Sequence, residues 1–230
     1  SIRGDSVALD VALAGEGATI QFRGATSLDS TRRVATGLVT VGTLDASRFL
    51  PSRTLPSHLL SGVVHLGLDG PLEEPSGPFA FQLDTTSRLL DLPVRVAVGA
   101  MVLEPGGVRV DSLLLALDAG RVSARGHLAR DPTVRDTLRF DATLDSLATL
   151  APLLGDSLAT RWADSIGGTV RVEGIAIGSL DTMAVRATLT GDSLRLASVS
   201  IATMSSEWLL DGVPSATRGL ATVDLANARV

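Results

Sequence analysis

The 230-residue chain contains no cysteine, which excludes disulfides and thiolate metal sites. Tyrosine is also absent, and aromatic residues make up only 3% of the chain. A closed β-sandwich normally fills its middle with rings, and this chain offers few. Lysine is missing too, so all 20 basic residues are arginine, scattered among Asp and Glu without a basic run. With a net charge of −5 and a pI near 5.2, there is no clustered positive surface to neutralise phosphates, so nucleic acid is not an expected partner. No apolar run approaches the roughly 20 residues of a membrane-spanning helix. No charged-then-apolar leader follows Ser1, and the chain reads as a soluble piece of a longer protein whose anchor lies elsewhere.

What is present is aliphatic. Hydrophobic residues make up 45% and charged residues 20%, a balance that favours folded structure over disorder. The apolar residues fall on alternate positions, as strands require. In Thr169 to Glu173, Val170 and Val172 point one way and Thr169, Arg171 and Glu173 the other. Met183, Val185, Ala187 and Leu189 repeat the pattern. "TGDS" (Thr190 to Ser193) predicts a turn, with Leu194 and Leu196 beyond it. The phase then slips at Ala197 and Ser198 before Val199 and Ile201, predicting a bulge or bend. Upstream, the same alternation runs through Val7 to Leu13, Ile20 and Phe22, Val39 and Val41, Val64 to Leu68, Phe79 to Leu83, Val94 to Val98, Val108 to Leu117, and Leu138 to Leu144. Turn residues fall every eight to twelve positions or so, the spacing of an all-β meander.

Two segments depart from that pattern. Leu44 to Val64 and Leu144 to Gly168 both begin Leu-Asp, carry leucines at helical spacing, are broken by proline, and end in Gly before a strand. They predict short Pro-broken helical inserts. Gly62 and Gly168 then mark equivalent places in a repeat of about 106 residues,. The expected organisation is N-terminal strands over 1–43, a first repeat over 44–143 and a second over 144–230.

Residues able to do chemistry are sparse. His58, His65 and His127 are far apart in sequence, and His65 sits on the polar side of a strand. The seven Asp-Ser pairs could tempt a hydrolase reading, but no Gly-x-Ser-x-Gly elbow is present and both residues are common in turns and caps. "LAGEGA" and "GLDGP" read as hairpin turns rather than phosphate loops, because no helix pattern follows. The sequence therefore predicts no enzyme, no cofactor and no metal site.

The four Asp-Ser-Leu stretches from Asp111, Asp145, Asp156 and Asp192, with "GGTVRVEGIAIGSLDTMAVRATLTGDSLRL" and "LSGVVHLGLDGP", resemble the TamB and AsmA-like proteins of the bacterial envelope. The likeness is to the repetitive middle of a TamB-type chain, and it extends from about Leu44 to Ile201. It implies an elongated, curled, taco-like antiparallel sheet whose aliphatic groove shields acyl chains during transfer between membranes. It also implies a periplasmic location, phospholipid acyl chains as partner, and an outer-membrane β-barrel engaged by parts of a longer parent chain. The implied lining is Val64, Leu66, Leu68, Phe79, Phe81, Leu83, Val94, Val96, Val98, Val170, Val172, Met183, Val185, Leu189, Leu194 and Leu196. Energetics agree with such a task. Shielding a sixteen-carbon chain from water is worth on the order of 12 kcal/mol, and a uniform wall lets the chain slide. About fourteen strands at about 4.8 Å each would give roughly 65 Å of groove. The competing expectation is a structural or adhesive β-repeat module whose two sheets seal a dry core with no ligand.

Overall fold

The computed structural model describes residues 2–3, 6–15, 18–27, 34–45, 59–71, 74–89, 92–149, 166–196, 198–214 and 216–229. Those residues form an all-β antiparallel meander that divides into two compact units, Ser1–Leu115 and Ala116–Val230. The first holds β1 (Ile2–Arg3), β2 (Ser6–Gly15), β3 (Ala18–Ser27), β4 (Val34–Asp45), β5 (Leu59–Asp69), β6 (Gly77–Leu83), β7 (Arg88–Leu89), β8 (Leu92–Glu104) and most of β9 (Gly107–Leu117). Neighbours follow chain order from β1 to β6; β8 then joins β6 directly, and the two-residue β7 clips β5 to β8. The second unit holds β10 (Gly120–Ala129), β11 (Asp136–Leu144), β12 (Ile166–Gly178), β13 (Thr182–Leu196), β14 (Val199–Pro214) and β15 (Arg218–Arg229), in unbroken order. The expected repeat boundaries at 44 and 144 fall inside the two units.

Short connections follow from the turn residues. Gly15 pairs with Ala18, so β2 and β3 are joined by a short connection. Asp69 and Ser76 exchange backbone bonds of 2.7 and 2.8 Å around the "GLDGP" turn.

The helical inserts are not seen. Their described ends are strand: Leu44 and Asp45 pair with Leu60 and Leu59, and Ile166 to Gly168 open β12. Among the described residues there is no α-helix, only one 3₁₀ turn at Leu147 to Thr149. Leu44, Leu59 and Leu60 serve cross-strand pairs, whereas Leu147 lies in the 3₁₀ turn. The remainder of both inserts, 46–58 and 150–165, lies outside the described residues.

Two expected breaks take a different form. Where the phase slip was expected, the chain reverses between strands, because Leu196 pairs directly with Val199. "TGDS" does not end a strand; β13 runs through it. At Ser193, Ala202 and Asn227 three adjacent strands each skip one ladder pair, with Ser193 at φ 51° and Asn227 at φ 53°. Asp192 and Ser193 are both exposed, as are Ala202 and Thr203, and the inward positions change from Gly191 and Met204 to Leu194 and Ile201. Left-handed backbone in a strand reverses the alternation, so this line is a crease across the sheet. Asp111 and Ser112 do the same within β9: both are exposed between half-buried Val110 and Leu113. Asp-Ser-Leu thus marks a phase change inside these two strands.

Candidate functional site

Residues directly opposite one another in an antiparallel ladder share a face, so the registers carry each face across a whole unit. In the first unit one row reads Val11, Phe22, Val39, Val64, Phe81, Gly99 from β2 to β8. Beside it runs Leu13, Ile20, Val41, Gly62, Leu83, Ala97. In the second unit, Leu144, Val170, Gly191, Met204, Leu225 lies beside Ala142, Val172, Leu189, Ser206, Val223 from β11 to β15. None of these rows contains a charged side chain. The reverse face carries the charges: Arg23 bonds Asp10 at 3.2 Å, and Arg171 meets Glu173 and Asp141.

Among the described residues, no layer covers either unit's apolar face. Val64, Leu66, Leu68, Phe79, Phe81 and Leu83 lie together on it in the first unit, all half-buried. Towards its edge Leu13 is 65% exposed, and in the second unit Leu225 is 53% exposed. The buried apolar residues among those described are few and mostly small: Ala97, Ala119, Ala129 and Ala176, with Val94, Val170 and Leu128. A facing sheet would bury the large side chains of these rows, and no described residues do so.

The placement of the remaining expected lining residues varies. Val170, Val172, Met183, Val185 and Leu189 share the apolar face of the second unit, Val170 being buried and the others half-buried. Leu194 joins them beyond the crease, and the backbone of Leu196 pairs with Ile166 and Val199. On β8 the expectation fails in part. Val98 stands opposite Gln82 on the charged side, Val96 is exposed, and Val94 is buried beyond the β7 clip. The apolar row there is Ala97, Gly99 and Met101. The stretch "VAVGAMV" is apolar on both phases, so only the pairing of Leu83 with Ala97 decides which side faces in.

Three rings on the apolar face lean over glycines. A methyl group on Gly99 would fall 2.3 Å from the Phe81 ring, and one on Gly174 would fall 2.5 Å from Phe140. Phe22 likewise covers Gly24 and Gly37. Glycines make room for these three rings, while Phe79 is tilted 50° to Phe81.

Polar groups play structural parts elsewhere. Buried Ser87 accepts from the Ser61 N–H and donates to the Ser61 carbonyl, each at 2.9 Å, locking β7 onto β5. Ser179 is bonded to Thr182. Asp131, in the turn after β10, is held below the usual carboxylate range by the Thr133 hydroxyl and then its N–H. His65 is exposed on the charged face; His127 contacts Asp136 at 2.5 Å at a strand end; His58 lies outside the described residues. No group of three or more His, Asp or Glu suited to a metal occurs among the described residues.

Sequence reasoning missed β10, the later half of β14, and β15. Their inward rows include Ala124, Gly126, Ser206, Gly219 and Ala221, too small or polar to signal a strand. Val223 and Leu225, alternating with Thr222 and Asp224, were one available clue, and Met204, Trp208 and Leu210 on β14 were another. No protein-family model, curated protein or solved structure matches this chain.

Proposed function

We propose that the chain is a segment of an intermembrane lipid-transfer protein of the bacterial envelope, and that its sheets curl into an aliphatic trough that shields acyl chains in the periplasm. The observation that carries this reading is the half-buried apolar face, continuous from β2 to β8 and again from β11 to β15, whose central rows hold no charged side chain. An apolar patch of this extent left in water is costly and marks a place for an apolar partner. The side chains available to that partner are mostly aliphatic, with a few rings, so a hydrocarbon tail gains burial along the whole row. No catalytic step is part of this function, and contact with an outer-membrane barrel would belong to other parts of a longer chain. The alternative, a structural or adhesive module with a sealed dry core, is less well supported, because the large apolar side chains of the rows are only half-buried.

Lipid extraction and mass spectrometry of the purified protein test the proposal. Co-purifying phospholipid, and transfer of a fluorescent phospholipid between vesicles that rises with protein concentration, are the expected results. A lipid-free protein that also fails to take up labelled lipid would contradict it.

A further inference from the structure

Ser206 is the one hydroxyl in the apolar rows of β11 to β15. Register places it between Leu189 on β13 and Val223 on β15, with Met204 and Trp208 two positions away on its own strand. It is 3% exposed, and its Oγ has no hydrogen-bond partner. The two other buried polar residues, Ser87 and Ser179, both bond to backbone. A buried hydroxyl without a partner destabilises the chain that holds it, by an amount similar to a lost hydrogen bond. Alanine or valine would fit this row at no such cost, as Ala142, Val172 and Val223 show.

We propose that Ser206 is a ligand-binding residue whose hydroxyl donates to the carbonyl oxygen at the head of an acyl chain, carboxylate or ester, while the tail lies along the adjoining aliphatic rows. This rests on the lipid-binding reading above and adds to it a fixed polar contact on an otherwise uniform surface. A donor suits the carbonyl because an ester or carboxylate oxygen can only accept. Ser206's neighbours on this face include Val223, opposite it on β15, and Trp208, two positions along β14, and they are 51% and 39% exposed, so a ligand can reach this part of the face. The hydroxyl costs stability in the empty protein and returns it when a carbonyl arrives, which gives acylated lipids preference over plain hydrocarbon.

The test compares the full chain with Ser206→Ala and Ser206→Thr, using palmitate, methyl palmitate and hexadecane to displace a bound fluorescent dye. Ser206→Ala should unfold at the same temperature or higher, bind methyl palmitate about fivefold more weakly and palmitate more weakly still, and bind hexadecane unchanged. Ser206→Thr, which keeps the hydroxyl, should bind all three like the original. Loss confined to palmitate assigns the contact to free fatty acid, and loss for both assigns it to the acyl carbonyl in general. Equal binding of all probes by Ser206→Ala would overturn the proposal while leaving the open face intact as a lipid surface. A lowered unfolding temperature with uniform loss for the three probes would make Ser206 a packing residue and overturn it too. Failure of the original chain to bind any probe would remove both this inference and the reading beneath it.

Discussion

A methyl group separates two kinds of glycine in this chain. At Gly99 the obstacle to a side chain is the Phe81 ring at 2.3 Å, which can rotate away. At Gly168 the obstacles are the carbonyl oxygens of Ser193 and Asp192, at 2.7 and 2.8 Å, and the backbone sits at φ 106°, which side chains rarely tolerate. Gly99→Ala is therefore expected to cost about 1–2 kcal/mol by forcing the ring upright, and Phe81→Leu in the same chain should recover most of it. Gly168→Ala should cost more, and no neighbouring side-chain change should rescue it. Urea unfolding of the single and double variants checks both. Thr43 presents the converse case: a β-branched residue at φ 54° in the bulge between Val41 and Leu44. Thr43→Gly should stabilise the protein by roughly 0.5–1 kcal/mol in the same assay.

Strands are the scale at which the open face makes its clearest demand. Val170 and Val172 sit two residues apart on one side of β12, yet Val170 is buried and Val172 half-buried. Burying an unpaired carboxylate costs several kcal/mol unless it reaches water or shifts its protonation. Val170→Asp should therefore destabilise strongly, whereas Val172→Asp should cost no more than about 1–2 kcal/mol and should still impair lipid uptake. Thermal unfolding paired with uptake of labelled lipid separates the two effects, and a loss of several kcal/mol at Val172 would mean that the row is sealed core. Strand existence was legible wherever large aliphatic residues alternate with polar ones, as in β2, β5 and β12. It was not legible in β10 and β15, where glycine and alanine at inward positions such as Ala124, Gly126, Gly219 and Ala221 thin the alternating signal. The crease at Ser193 was misread for a definite reason: Gly, Asp and Ser signal left-handed backbone, and that backbone serves a hairpin or a phase change equally well. Which phase of β8 faces in was not encoded locally at all, because both phases are apolar and the pairing with β6 decides.

In both units of the molecule the faces divide the labour: charged side chains on one side, hydrocarbon on the other and, among the described residues, no layer sealing the second. The alternation made that division readable from sequence, since Val64 and Val172 were assigned to the apolar side and His65 and Arg171 to the polar side, where the registers place them. Ser206 was not readable, because a serine in a sequence gives no hint that its hydroxyl will be buried without a partner. The most direct measurement of the central claim is photo-crosslinking from a benzophenone amino acid placed singly at Val64, His65, Arg171 and Val172, with the protein incubated with radiolabelled phospholipid vesicles. Labelled adducts are expected from Val64 and Val172 and only at background level from His65 and Arg171. Equal labelling from all four positions, or none from Val64 and Val172, would contradict the account.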